Sequence, residues 1–299
     1  YNQEGIISRT SYDRYNVRAN IDATVADNLS MKVGFAYTNS TQMEPGLSAG
    51  KGNAYASIFI QAILMYPYLP VEYNGLPVGS MNGMGNGNQN PLAARDQSGT
   101  SMMKRNTSSL NASLKYDVPF IKGLSLKLNA SYDQTNSFKK IEQLAYKLNV
   151  WNQSVRSFNE EWARHLSSGK SQVNQWQYSY DAYTIQPAIE YSGSFGKNHI
   201  SALVLYDYSR NDSRDMSSGM LGYKITDVME INFGEEIIPT LIKGGYGIDR
   251  RAGYVARLNY DYDERFLAEL TMRYDGTPYL PEEYRWGLFP GVALGWKIS

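Results

Sequence analysis

The sequence predicts an all-β chain, a portion of a large antiparallel transmembrane β-barrel with about nine strands here and long extracellular loops containing short helices. Three observations predict it. Runs of about a dozen residues alternate apolar and polar. The connections between runs are short, then very long, then short again. Tyrosine, with 25 copies against 9 Phe and 5 Trp, collects at the ends of the runs, where a ring with an apolar body and a polar tip suits a membrane interface.

The first run is Arg14 to Val25. Tyr15, Val17, Ala19, Ile21, Ala23 and Val25 share one parity, and Arg14, Asn16, Arg18, Asn20, Asp22 and Thr24 the other. Successive strand side chains point to opposite faces, so one face is apolar and the other polar. A soluble half-buried strand keeps this up for about five or six residues; the longer run suits a tilted strand crossing hydrocarbon. After Ala26-Asp27-Asn28 the pattern resumes with Leu29, Met31, Val33, Phe35 and Tyr37, then Leu110, Ala112, Leu114 and Tyr116, then Leu124, Leu126, Leu128, Ala130 and Tyr132. It continues through Tyr183, Ile185, Pro187, Ile189 and Tyr191, and through Ile200, Ala202, Val204, Tyr206 and Tyr208. The last runs carry Tyr254 to Tyr262, Phe266 to Tyr274 and Val292 to Ile298 on alternate positions. Pro187 cannot donate to a ladder, which predicts a bulge or local bend there.

Composition excludes several classes. Mean hydropathy is -0.46 and no apolar run approaches twenty residues, which excludes helical membrane spans but not a barrel, whose lumen residues dilute hydropathy. Cysteine is absent, so there is no disulfide framework or thiolate metal site. A net charge of +0 gives no bulk attraction to nucleic acid. No cofactor is expected.

Connection lengths orient the barrel. Ala26-Asp27-Asn28, Pro119 to Gly123, Phe195-Gly196-Lys197-Asn198 and Asp263-Glu264-Arg265 are short turns, assigned to the periplasm. The long segments 42–104, 139–177, 210–249 and 276–285 are assigned outside the cell, and loops of such length usually carry function or are disordered. Helical spacing marks Tyr55, Ile58, Phe59, Ala62 and Ile63 up to Pro67, and again Leu144, Leu148, Trp151, Val155, Phe158, Trp162 and Leu166, with Gly169 as a cap. Each stripe either packs its loop onto the barrel rim or meets a ligand or partner.

A family resemblance rests on particular strings. Ala252-Gly253-Tyr254-Val255-Ala256-Arg257-Leu258-Asn259-Tyr260-Asp261-Tyr262, followed by Glu264-Arg265-Phe266-Leu267-Ala268-Glu269, resembles a signature hairpin of SusC/RagA-type TonB-dependent transporters. Arg273-Tyr274-Asp275-Gly276 and Arg285-Trp286-Gly287-Leu288-Phe289-Pro290-Gly291-Val292 continue it. Tyr12 to Asn20, Pro67-Tyr68-Leu69-Pro70-Val71 and Asn90-Pro91-Leu92-Ala93 are similar too, so the likeness spans nearly the whole chain. Thr277-Pro278-Tyr279-Leu280-Pro281 departs from the small hydroxyl residues usual after Asp275-Gly276, which predicts a different loop tip.

The resemblance implies an outer-membrane importer of a large nutrient, glycan or oligopeptide. Its barrel has about twenty-two strands, filled by a plug that TonB pulls, and a SusD-like surface lipoprotein sits over the loops. Residues 1–299 would be a barrel segment, with the plug and remaining strands expected elsewhere in a longer polypeptide. Partners are then the lipoprotein, TonB through the plug, outer-membrane lipid and the glycan or peptide. Two other functions stay open: a non-transporting barrel acting as an adhesin or surface-binding protein, and an outer-membrane hydrolase.

The polar parity supplies lumen or plug contacts: Arg18, Asn20, Lys32, Glu190, Arg257, Glu269 and Arg273. With Tyr262 opposite Phe266, Asn259 faces Glu269 and Arg257 faces Thr271, which makes Arg257 and Glu269 diagonal neighbours suited to an ion pair. Trp151, Trp162, Trp176, Tyr223 and Tyr246 are loop aromatics that stack on sugar rings, pack, or contact the lipoprotein lid. No catalytic or metal site is assigned. A hydrolase would have to use His199 with Ser201, which is more simply a turn histidine. The acidic pairs Glu160-Glu161, Glu235-Glu236 and Glu282-Glu283 read as solvated loop charge, and Gly83-Met84-Gly85-Asn86-Gly87 as a surface loop without phosphate-binding context.

Overall fold

The computed structural model describes residues 1–47, 58–79 and 89–298. In chain order, β1 (Asn2–Glu4), β2 (Ser11–Ala26) and β3 (Leu29–Pro45) lead into a long connection. That connection carries helix α1 (Ile58–Leu64), the paired stubs β4 (Glu72–Tyr73) and β5 (Leu76–Pro77), and helix α2 (Pro91–Gln97). Then come β6 (Gly99–Asp117), β7 (Leu124–Gln143), β8 (Lys147–Asn152), β9 (Ser157–Trp162), β10 (Gln172–Phe195) and β11 (Asn198–Leu221). The chain finishes with β12 (Glu236–Ile237), β13 (Lys243–Tyr262), β14 (Phe266–Gly276) and β15 (Trp286–Trp296). One antiparallel sheet runs in the order β1-β2-β3-β6-β7-β10-β11-β13-β14-β15, with β12 off the path on β11. Consecutive wall strands are neighbours throughout, and the path does not close on itself.

Register sorts the side chains face by face. Val17 lies opposite Tyr37 and Ile21 opposite Val33, then Val33 opposite Ala112 and Leu114 opposite Leu128. Leu126 faces Ile189, Val204 faces Ala256, Leu258 faces Leu270 and Leu270 faces Val292. All the residues of the predicted apolar parity therefore share one face of the sheet. On that face Val17, Val204 and Leu270 are 58%, 54% and 50% exposed, far too much apolar surface for a wall bathed in water.

Aromatic residues bracket this face. Tyr132 packs at a tilt against Tyr183 and Tyr206 against Tyr254, while Tyr274 stacks on Trp286, toward the long-loop end. Toward the short turns, Tyr260, Tyr262, Phe266 and Trp296 form the other rim, with Phe266 stacked on Trp296. From Tyr254 to Tyr262 is eight residues, about 26 Å of strand at about 3.3 Å each. Tilted by about 35–45°, that run gives about 19–22 Å of height, somewhat under the apolar band of about 25 Å that aromatic girdles flank in membrane barrels.

The tight turns all lie at one end. Asp263 and Glu264 both take left-handed backbone angles, φ 55° and 53°, as a primed hairpin turn requires, and Gly196 does the same at φ 59°. At the other end the wall overtops the girdle: β10 and β11 are 24 residues each. Cross-strand backbone bonds need no apolar alternation, so pairing continues through polar Ser, Thr, Gln and Asn. The connections consequently shrink to residues 46–98, 144–171, 222–242 and 277–285.

Two local expectations are corrected. Pro187 makes no bulge: it stays in register opposite Leu128, and on the β11 side the ladder omits Gln186 and Pro187 and resumes unshifted. The missing donor is bypassed, and the Gln186 amide bonds the Asp207 carboxylate across the gap at 3.1 Å. The wall's register shift lies at Thr24/Ala26 instead. The second loop stripe is not a helix but the hairpin β8–β9, followed by a 3-10 turn at Arg164–Leu166. Leu148 and Val150, two apart, are both fully buried, and β-formers Val150, Trp151 and Phe158 pair across the strands. Asn152 closes the turn by accepting from the Ser154 amide at 2.9 Å. Gly169 takes φ +70° after the 3-10 turn, with the Trp162 ring where a side chain would go. In the first stripe α1 does form; Tyr55 and the Gly83 to Gly87 run lie outside the described residues.

The first two loops interlock into one cap. Asn90 caps α2 by accepting from the Ala93 amide at 2.9 Å and donates to the Val78 carbonyl at 2.8 Å. Val78 bridges to Asn149 of β8, whose side-chain amide bonds the Tyr73 carbonyl, and Tyr73 stacks against Phe158. Beneath them Ala93, Tyr146, Leu148, Val150 and Ala163 form a small core. His165 packs at a tilt against Tyr146 and bonds the Leu144 carbonyl at 3.2 Å, and burial pulls its pKa down to about 4. A depressed folded-state value means this stabilisation is complete above the unfolded value near 6.5 and disappears as pH falls toward 4. Hydrogen-exchange protection factors across residues 144–171, corrected for the intrinsic pH dependence of exchange, should therefore fall over that window, and His165→Gln should flatten the dependence.

Candidate functional site

The opposite face of the wall carries the polar parity, and strand register places its charges. Near the tight turns, Lys127 pairs with Glu190 at 2.6 Å and Lys115 with Asp117 at 2.8 Å. Arg257 lies two strands from Glu190, across Leu203, and Asn259 donates to the Ser201 hydroxyl at 3.2 Å. These groups line a recess of about 580 Å³. Midway up, Lys32, Asn111, Asn129, Thr184 and Gln186 line a second recess of about 320 Å³. Arg273 holds Asp275 at 3.0 Å, and Gly253 leaves room for that carboxylate. Asn20 lies similarly against Gly34.

The register expected around Arg257 is the one observed, with Asn259 opposite Glu269 and Arg257 opposite Thr271. The Arg257–Glu269 ion pair is not formed, although diagonal neighbours are within reach of long side chains, as the diagonal pair Lys127 and Glu190 shows. Among the described residues Arg18, Lys32, Arg257 and Glu269 have no ion-pair partner. An occupant of the lumen must meet those charges, or water must remain there.

The five aromatics are not brought together. Trp151 packs edge-on to Phe158 in the hairpin, and Trp162 lies under Lys147 and against Gly169. Tyr223 is buried with Val173 and Met229. Tyr246 shares the outward parity of Tyr254, with Arg214 5.1 Å above its ring. Trp176 alone of the five sits on the lumen face. It is joined there by Tyr178 and Tyr180, two residues apart along β10. Trp176 lies between Lys139 and Ser217, Tyr178 between Ser137 and Asp215, and Tyr180 between Thr135 and Ser213. Gly245 and Gly247 on β13 keep the neighbouring surface low. Tyr178 is 41% exposed, and none of the three rings stacks on another among the described residues. This ladder was legible as an even-numbered continuation of the Glu190 parity; treating 139–177 as loop hid it.

Ser194, His199 and Asp261 share one row at the turn end, and the Ser194 hydroxyl lies 2.9 Å from His199 Nδ1. No hydrogen bond joins His199 to Asp261, which instead accepts from the Glu264 amide at 2.8 Å, so the base lacks its orienting carboxylate. Ser201 is bonded to Asn259, not to His199.

No family model matches the chain. Among curated proteins it is 25% identical to TonB-dependent receptor P26 of Formosa agariphila, over all of this chain and 28% of that protein. A 46-residue stretch, 15% of this chain and 5% of the relative, is 50% identical to TonB-dependent receptor SusC of Bacteroides thetaiotaomicron. Among solved structures, the RagAB peptide importer in its open-open state superposes with a TM-score of 0.72 at 17% identity, over 95% of this chain and 29% of that one. The chain thus spans under a third of the length of these full-length relatives. The girdled antiparallel wall with its one-sided turns is a portion of a large antiparallel β-barrel, similar in sequence to TonB-dependent receptors, SusC among them, and in fold to the RagAB transporter.

Proposed function

We propose that the protein containing this wall imports a large nutrient, a glycan or an oligopeptide, across the outer membrane with energy delivered through TonB, working with a SusD-like surface lipoprotein over its long-loop end. The observation that carries the reading is the lumen face. It combines charges lacking partners in the wall, suited to an internal plug, with an open aromatic ladder near the loops, suited to a ligand entering from outside. The likeness to TonB-dependent receptors, SusC among them, and to a RagAB peptide importer supports it.

In this reading the interlocked loop cap contributes to the lipoprotein contact. Excising residues 46–98 from the complete protein is expected to leave the barrel inserted but weaken co-purification of the lipoprotein and ligand uptake. Unchanged uptake and co-purification would remove the cap from the mechanism. Trp176→Ala with Tyr178→Ala should lower ligand affinity by about 0.5–1.5 kcal/mol per ring lost, the scale of an aromatic contact. Isothermal titration with the imported ligand checks it, and an unchanged affinity would confine the ladder to packing.

A further inference from the structure

On the outer face, just beyond the aromatic girdle, two arginines stand directly opposite each other: Arg210 on β11 and Arg250 on β13. Arg210 is one outward-facing position beyond Tyr208 and lies opposite Tyr183 on its other side. Arg250 is two outward-facing positions beyond Tyr254. Like charges facing across a strand pair repel. Asp212 takes Arg210 at 2.9 Å, while Arg250 is exposed and forms no ion pair among the described residues. Asp181, opposite Asp212 on this face, accepts from the Tyr132 hydroxyl at 2.6 Å and the Gln134 amide at 3.0 Å. Further out Arg214 lies over Tyr246, and both line an open groove of about 860 Å³ with Met216, Gln177 and Ser179.

The tyrosine girdle marks the depth of the membrane interface, so these arginines stand where lipid headgroups lie. Guanidinium groups bind phosphate oxygens in a paired, planar geometry. We propose that Arg210, Arg250 and Arg214 form a docking site on the outside of the wall for the phosphate groups of an outer-leaflet lipid, with the Met216–Tyr246 groove accepting the adjoining part of its headgroup. The site rests on the wall facing lipid and is independent of what the lumen carries. A phosphate between Arg210 and Arg250 turns their repulsion into a shared contact and ties the overtopping strands to the membrane surface.

The test uses the complete protein purified from membranes in mild detergent, with lipopolysaccharide as the probe. Arg250→Gln alone and Arg210→Gln with Arg250→Gln are compared with the parent. The double variant should retain about tenfold less lipopolysaccharide, equivalent to about 1.4 kcal/mol of lost contact, and Arg250→Lys should retain an intermediate amount. Each variant is first checked for heat-modifiable mobility on gels, the mark of an intact barrel; Arg250, being exposed, gives a variant that folds even if the double one does not. Equal retention in the Arg250→Gln protein and its parent would overturn the site. Full displacement of lipid by inorganic phosphate would show a free-anion site and overturn the lipid assignment.

Discussion

Arginine in place of Leu258 is expected to destabilise the inserted barrel by about 2–4 kcal/mol, the cost of a charge at the midplane of a barrel's lipid face. Leu258 sits four residues from Tyr254 and four from Tyr262, midway between the girdles, opposite Leu270 on β14. Its neighbour Asn259 points the other way, into a polar recess beside Lys127 and Glu190. Asn259→Arg should therefore cost less than about 1 kcal/mol, as expected of a substitution away from buried apolar contacts. Equilibrium unfolding of the complete protein from lipid vesicles distinguishes the two. Equal penalties at 258 and 259 would mean that the exposed apolar face does not meet hydrocarbon.

Truncating Leu148 to alanine is expected to cost the loop cap about 2–5 kcal/mol, since a fully buried leucine loses its transfer energy and leaves a cavity. The residue lies in the small core shared by α2, Tyr146 and the hairpin, so both loops should loosen together. Hydrogen exchange would show protection falling across 90–98 and 144–171 while the wall strands keep theirs. If only 144–171 responded, the two loops would not be one body. The wall is insulated from this change because its stability comes from backbone pairing and lipid contact, not from the cap's core.

The wall was legible because its information is local. A period of two, read over a dozen residues, assigns a face to every side chain, and short connections then force adjacent antiparallel partners. Val17 to Ile298 could be sorted in this way, and the Arg257–Thr271 register followed from one turn. The loops were not legible by the same means. Leu148, Trp151, Val155 and Phe158 fit a helical stripe, yet Leu148 and Val150 fit a strand equally well. A short apolar segment does not choose between them until a partner surface is present. Here α2 and Val78 supply that surface, from residues 50 to 80 positions away.

Side-chain partners follow the same division. That Arg257 and Glu269 are diagonal neighbours is a property of register; whether they meet depends on reach and twist, and they do not. Tyr223 and Tyr246 were equivalent loop aromatics in the sequence, but one is buried in a cluster and the other faces outward beneath Arg214.

The sequence by itself determined the antiparallel wall, which face is apolar and which end carries the loops, because alternation and connection length act between near neighbours. Only the tertiary structure decided how far the strands overtop the girdle, that the first two loops lock into one cap, and that Arg210 faces Arg250 outside. Each of those depends on residues distant in sequence sharing a hydrogen-bonded row or a buried surface, and pairing of that kind leaves no period in the chain.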